Sequence, residues 1–199
     1  MRNANDAFRA LKKTLRQYFS ATYRSCQQLQ LHDTRLDLLQ VLGARDMIEV
    51  FGRGWDDTGN MPPCQAAKLA GIHSAFKGAC GNKHELLSRY KFTIAFENTA
   101  YPGYVTEKVI DAMVSASVPV YLGAPDIAEQ VPVEAFVDAR AFGSVDTLAE
   151  YMEQMTDTEA TAIIDAGQTF LRSSYGQRYT YEGFAELIMS LVMGKEPNE

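Results

Sequence analysis

Two short runs of apolar residues near the middle of the chain are typical of strands that are buried on both faces. They are Phe92–Phe96 and Val118–Leu122, and each is almost free of polar residues. Parallel strands that helices cover on both sides have this composition. Between them, Thr106–Ser117 carries apolar residues at helical spacing. The pattern therefore predicts a strand–helix–strand unit with parallel strands.

The segments on both sides of this unit alternate between helical and strand-like patterns. Helices are predicted at Asn5–Tyr23, Thr34–Ala44, Glu85–Arg89, Val145–Met155, Asp157–Arg172 and Tyr181–Met193. Weaker strands are predicted at Met47–Phe51 and Ala135–Asp138, and residues 57–83 are predicted to be a long irregular connection with a short helix near Gln65–Ala70. Strands that alternate with helices indicate an α/β fold with a parallel sheet, which binds ligands at the carboxyl ends of its strands.

Length, composition and charge are those of an ordinary globular domain. The chain has 199 residues, of which 46% are hydrophobic, so it can bury a substantial core. Its net charge of −6 disfavours a general nucleic-acid-binding protein, which is usually basic, but it allows one phosphorylated ligand at a local site. The sequence has no apolar run near the roughly 20 residues that span a bilayer. Its polar N-terminus has no signal-peptide pattern.

The cysteines and histidines indicate neither a disulfide framework nor a metal site. Cys26, Cys64 and Cys80 are few and widely spaced, and the histidines do not have the spacing of metal ligands. We therefore expect reduced thiols, no metal, no cofactor and a cytoplasmic protein.

The N-terminal segment combines helical spacing with a basic surface. Its apolar residues are Phe8, Leu11, Leu15, Tyr18 and Phe19. A basic amphipathic helix can lie on an anionic membrane, pack on a partner or pair two copies of the chain. The alternative is a solvated positive face on an ordinary helix, which is the commoner arrangement. We treat residues 1–30 as a separate N-terminal helix and residues 31–199 as one domain.

The turn after the first buried strand carries polar residues that suit ligand binding. Asn98 follows the strand, and Thr106, Glu107 and Lys108 begin the next helix. The free N–H groups of a helix start favour a phosphate, and Lys108 would add a cationic donor. Glu107 suits sugar hydroxyls, and Tyr104 offers an aromatic face and a hydroxyl.

These helix-start residues also have a purely structural interpretation, and spacing alone does not decide between the two. Thr106 would cap the helix and Glu107 would be a first-turn acid that the helix dipole favours. Lys108 would be a solvated surface charge, whose removal would hardly change folding stability.

Three motifs in this region resemble the donor-binding half of the α-1,3/4-fucosyltransferases. They are KFTIAFENT (residues 91–99), YVTEK (residues 104–108) and VPVYLG (residues 118–123), in that order and at family-like spacing. The resemblance covers residues 35–155. It implies a Rossmann-like parallel sheet flanked by helices, similar to the C-terminal half of a GT-B glycosyltransferase. It also implies inverting transfer of fucose from GDP-L-fucose to a hydroxyl of an acceptor glycan.

The resemblance also assigns residues to the GDP-fucose site. The matching positions are Asn98, Tyr104, Glu107 and Lys108. Arg53, in a glycine-rich segment, matches more loosely an arginine that the family places on the diphosphate, and its alternative role is an ion pair with a nearby aspartate. The family's catalytic base belongs to an acceptor domain for which these residues leave too little room. We therefore assign no base, and Glu97, Asp56 and Asp57 are the carboxylates to test first.

The predicted protein is thus a fucosyltransferase-like glycosyltransferase whose partners are a nucleotide-sugar donor and a glycan acceptor. Two alternatives remain. One is a non-catalytic or truncated nucleotide-sugar-binding module. The other is an interaction domain that docks a partner or a membrane through the helix in residues 1–30.

Overall fold

Helices and strands alternate along the residues that the computed structural model describes, which are 31–52, 55 and 63–193. Before the sheet come α1 (His32–Ala44), α2 (Pro63–Ile72) and α3 (Lys83–Leu87). The central unit is β1 (Phe92–Phe96), α4 (Glu107–Val114) and β2 (Val118–Leu122). It is followed by β3 (Val137–Asp138), α5 (Val145–Gln154), α6 (Asp157–Arg172) and α7 (Tyr181–Val192).

The three strands form one parallel sheet in the order β1-β2-β3. β1 pairs with β2 in a register that runs from Phe92 opposite Val118 to Phe96 opposite Leu122. β2 pairs with β3 where Val120 lies opposite Val137. Because the strands are parallel, their carboxyl ends lie at the same edge of the sheet, as predicted. This edge is where a doubly wound fold binds its ligands.

Apolar side chains cover both faces of the sheet, which explains why β1 and β2 have so few polar residues. On one face, Phe96 and Val120 pack with residues of α1, α5 and α6. On the other face, Ala95 and Tyr121 pack with residues of α4 and α6. Neighbouring residues of one strand thus serve opposite layers of the core.

The predicted bounds of β1, β2 and α6 are confirmed, but the helix predicted at Thr106–Ser117 is shorter than expected. Its last helical residue is Val114. Ala116 adopts a left-handed φ of 53°, and the Ser117 N–H donates to the Ala112 carbonyl at 3.0 Å. This closing pattern ends the helix before the apolar spacing in the sequence ends.

The strand predicted at Met47–Phe51 is wrong. The segment makes one parallel bridge, between Val50 and Phe76, and the Val50 N–H donates to the Ala75 carbonyl at 2.8 Å. A cavity of about 420 Å³ lies between this segment and β1, lined in part by Ile94 and α1. One bridge is too few to make a strand, and no bridge joins this segment to β1.

Other predicted elements differ in length or lie outside the described residues. The short helix near Gln65–Ala70 extends over Pro63–Ile72, and the weak strand at Ala135–Asp138 is reduced to Val137–Asp138. The helix predicted at Asn5–Tyr23, with its basic face, lies outside the described residues. Of the helices in the described part of the chain, none is long and apolar enough to cross a membrane.

Candidate functional site

The loop between β1 and α4 leaves the sheet at the carboxyl end of β1 and carries the predicted site residues. It turns at Tyr101–Tyr104, where the Tyr104 N–H donates to the Tyr101 carbonyl at 3.0 Å. Gly103 has a φ of 74°, which side chains with a Cβ rarely adopt. The loop therefore needs a glycine at this position to return the chain to the start of α4.

Glu97 joins the two ends of this loop. Its side chain has 0% exposure. Its carboxylate accepts from the Thr106 N–H at 2.8 Å and from the Thr106 hydroxyl, which lies 2.9 and 2.8 Å from its two oxygens. It also accepts from Lys108 Nζ at 2.8 Å. A buried charge is stable only when it is paired in this way.

Lys108 is part of this buried cluster, so its interpretation as a solvated surface charge is wrong. Its side chain is 24% exposed and faces the fully buried Glu97. Its Nζ also donates to Thr106 Oγ1 at 2.9 Å. An ammonium group has three N–H donors, and these contacts use two of them. One donor and part of the charge therefore remain for a ligand.

Thr106 occupies the cap position of α4, but its hydroxyl does not cap the helix. It donates to Glu97 and accepts from Lys108 instead. The first-turn N–H groups of a helix have no partner within the helix. Apart from the Glu107 N–H, which bonds to its own carboxylate, the start of α4 therefore keeps N–H groups and partial positive charge that attract anions.

Arg35, on α1, holds the beginning of the loop, a role that the sequence analysis did not assign. Its Nη2 donates to the Phe96 carbonyl at 2.8 Å, the Glu97 carbonyl at 2.9 Å and Asn98 Oδ1 at 3.1 Å. Burial lowers the pKa of Arg35, and the charge of Glu97 opposes that shift. The signal available in the sequence was the position of Arg35 at the beginning of the family-like segment that leads to the glycine-rich stretch.

Asp126 connects this loop with the loop after β2. The Gly103 N–H lies 2.9 Å from both of its carboxylate oxygens. From the sequence, Asp126 is expected to be a solvated charge near the donor pocket and is not among the predicted site residues. The bond crosses between the ends of two neighbouring strands, so it fixes one loop relative to the other.

Gly123 lets the end of β2 pass close to Glu97. A Cβ at this position would lie 2.6 Å from Glu97 Cγ and 2.3 Å from the Tyr121 hydroxyl oxygen. The Tyr121 oxygen in turn accepts from the Ala124 N–H at 2.9 Å. Burial, joined by the negative charge of Glu97, raises the pKa of Tyr121 to about 12, although the Ala124 bond and Arg140 oppose the shift.

We expect Tyr121 to make folding stability depend on alkaline pH. Because its pKa is higher in the folded chain than the ordinary value of about 10, its contribution is complete below pH 10 and is lost as the pH rises towards 12. The measurement is urea unfolding of the parent and of Tyr121→Phe at several pH values. The difference between their unfolding free energies should stay constant below pH 10 and fall above it. A constant difference up to pH 12 would contradict the assignment.

The remaining predicted residues lie on the same loop and helix start. Asn98 is exposed beside Arg35, and Tyr104 is 37% exposed. Glu107 is the exposed first residue of α4. Burial favours its neutral acid, but its own backbone N–H and the charges of Lys108 and Lys83 give it a lowered pKa. It is therefore a charged hydrogen-bond acceptor at neutral pH. Arg53 lies outside the described residues.

This arrangement can bind a ligand that carries both an anion and hydroxyl groups. The start of α4 and the remaining Lys108 donor suit phosphate oxygens, and Glu107 suits hydroxyls. Glu97 is buried with its oxygens engaged, so it is not placed to accept a proton from an incoming substrate. The 420 Å³ cavity adjoins this site at Arg35, but its lining does not include Asn98, Tyr104, Glu107 or Lys108.

Comparison with known proteins identifies similar sequences for most of the chain. The profile of the family described as "Glycosyltransferase family 10 (fucosyltransferase) C-term" matches residues 13–162. An alpha-(1,3)-fucosyltransferase FucT of Helicobacter pylori is 37% identical over 105 residues, 52% of this chain and 22% of that protein. An alpha-(1,4)-fucosyltransferase of Arabidopsis thaliana is 36% identical over 114 residues, 54% of this chain and 27% of that protein. The chain thus spans about a quarter of the length of these relatives.

A solved structure confirms the fold. It is a crystal structure of an alpha1,3-fucosyltransferase with GDP, which superposes with a TM-score of 0.52 at 23% identity. The superposition covers 81% of this chain and 44% of that one. At this identity the likeness establishes a shared Rossmann-like architecture and not a shared ligand.

Proposed function

Because this chain belongs to glycosyltransferase family 10, the fucosyltransferase family, we propose that it binds GDP-L-fucose and serves its transfer to a hydroxyl of an acceptor glycan. The observation that carries the proposal is the segment from Asn98 to Lys108. Its family-like motif lies at the carboxyl end of β1 and is held there by Glu97, Arg35 and Asp126.

The donor would lie across the start of α4. Its diphosphate would accept from the first-turn N–H groups and from the third donor of Lys108. Glu107 would accept from hydroxyls of the ribose or the sugar. Asn98 and Tyr104 would contact other parts of the donor, and Arg53 remains a predicted contact to the diphosphate.

In the transfer step, the acceptor oxygen would form a bond to the anomeric carbon of fucose on the face opposite the diphosphate. The bond from that carbon to the diphosphate oxygen breaks, and its electron pair leaves with GDP. A base must take the proton of the acceptor hydroxyl. The charge that develops on GDP would be stabilised by Lys108 and the helix start.

The base is expected to come from a carboxylate outside the described residues. Glu97 does not suit the role, and Asp56 and Asp57 fall outside the described part of the chain. The resemblance to the family implies a base in an acceptor domain. We therefore expect the 199 residues alone to bind the donor but to transfer fucose slowly. Transfer to N-acetyllactosamine by these residues at ordinary enzyme rates, roughly 1–1000 per second, would contradict this expectation.

Calorimetric titration tests donor binding without turnover. GDP-fucose and GDP should bind at one site, and GMP should bind more weakly because it lacks the second phosphate. Binding should persist in EDTA, since the proposed contacts to the diphosphate come from Lys108 and backbone N–H groups. Loss of binding in EDTA would contradict the proposal that the donor binds without a metal ion. If GDP-fucose bound neither with nor without Mg²⁺, the proposed function itself would be wrong.

A further inference from the structure

One bond between the two loops at the carboxyl edge of the sheet has no role in the core. The Gly103 N–H donates to both carboxylate oxygens of Asp126, which lies in the loop after β2. A carboxylate acceptor makes a hydrogen bond roughly twice as strong as a neutral one. Asp126 thus fixes the tip of the β1–α4 loop.

Gly103 also forms a backbone bond that shapes the second half of the turn. Its carbonyl accepts from the Val105 N–H at 3.0 Å, and Tyr104 lies between these two bonds. Tyr104 has an exposed side chain, so packing does little to hold its position. The backbone bonds of Gly103, together with the bond from the Tyr104 N–H to the Tyr101 carbonyl, therefore set the direction in which Tyr104 points.

We propose that Asp126 is a positioning residue for the donor, because it holds Gly103 and thereby orients Tyr104. The proposal rests on the proposed function, since it assumes that Tyr104 contacts GDP-fucose. Asp126 itself need not touch the ligand. A displacement of about 1 Å in a ligand-contacting group can cost as much as a hundredfold in activity, so such a bond is significant.

Two variants separate the hydrogen bond from the charge. Asp126→Asn and Asp126→Leu both remove the negative charge, but only asparagine keeps an oxygen that can accept from Gly103. Glu129→Gln is a matched control, because it removes a negative charge from the same stretch of chain at an exposed position. All three substitutions are away from the core and should leave the chain folded.

Hydrogen exchange of the Gly103 amide measures the bond directly and needs no ligand. In Asp126→Leu it should become at least about tenfold faster, the change expected when a charge-assisted bond of roughly 1.5–3 kcal/mol is lost. In Glu129→Gln it should stay within about threefold of the parent, and Asp126→Asn should lie between the parent and Asp126→Leu, because a neutral acceptor keeps about half of the bond.

Affinity for GDP-fucose then measures the consequence. Asp126→Leu should weaken binding about tenfold, Asp126→Asn should have an intermediate effect, and Glu129→Gln should change binding by less than about threefold. If Asp126 acts through Tyr104, adding Asp126→Leu to Tyr104→Ala should weaken binding no further. A purely structural role would instead give losses that add.

Each outcome decides the proposal. If the Gly103 amide still exchanges slowly in Asp126→Leu, the proposed bond to Asp126 is wrong. If it exchanges faster but the affinity for GDP-fucose is unchanged, the proposed positioning role is wrong. Additive losses in the double variant would overturn the route through Tyr104. If the parent chain does not bind GDP-fucose, the proposed function fails and the positioning role fails with it. The exchange measurement distinguishes that case, because it still reports whether the bond exists.

Discussion

Glu97→Ala is expected to lower the free energy of unfolding by roughly 2–4 kcal/mol, a large part of the stability of a domain of this size. The substitution removes the acceptor of the Thr106 N–H and leaves the ammonium of Lys108 without its counter-charge. Removing one partner of a buried ion pair costs about 3–5 kcal/mol. Lys108 is 24% exposed and can partly turn to solvent. We therefore expect a loss of stability near or slightly below the lower end of that range.

Urea unfolding is the measurement for this prediction, with Glu153→Ala as the matched control. Glu153 forms a 3.7 Å pair with Arg45 at the surface, where its side chain is 61% exposed. Surface pairs contribute at most about 1 kcal/mol, so the control should change stability little. Equal losses in the two variants would show that Glu97 is not the buried partner of Lys108.

Lys108→Met is expected to weaken GDP binding by about 10- to 150-fold, which corresponds to the roughly 1.5–3 kcal/mol of a charge-assisted hydrogen bond. It should also lower stability, because it leaves the buried carboxylate of Glu97 without its cation. This second effect differs from the expectation from the sequence that removing Lys108 would hardly change folding stability.

The double variant Glu97→Gln/Lys108→Met separates ligand binding from folding. It replaces the buried ion pair with a neutral pair of similar volume, so it should be more stable than either Glu97→Gln or Lys108→Met alone. GDP binding should not recover, since the cationic donor is still absent. Recovered binding would show that Lys108 acts through folding alone, and additive losses of stability would contradict the pairing with Glu97.

The sequence predicts the sheet well because strands that are buried on both faces consist almost entirely of apolar residues. β1 and β2 are short apolar runs with the predicted bounds. Met47–Phe51 has a similar pattern but is not a strand, since the pattern reports apolar surface and not the presence of a partner to pair with. Local pattern therefore predicts which segments are buried better than it predicts which segments pair.

The site is only partly predictable for a related reason. The sequence and its family resemblance place Asn98 and Tyr104 on one loop and Lys108 at the start of the helix that follows it, and the structure agrees on these positions. The residues that hold this loop come from elsewhere. Arg35 lies 63 positions before Asn98 and Asp126 lies 23 positions after Gly103, and contacts across such distances have no periodic signal in one sequence.

The most direct test of the proposed donor site is to map ligand binding residue by residue in solution. Backbone amide NMR spectra of the isotope-labelled chain, which has a mass of 22.1 kDa, would be recorded during titration with GDP-fucose. The account predicts that the largest shifts fall between Asn98 and Lys108. Shifts concentrated around the cavity near Leu87 and Tyr90, or no shifts at saturating GDP-fucose, would contradict it.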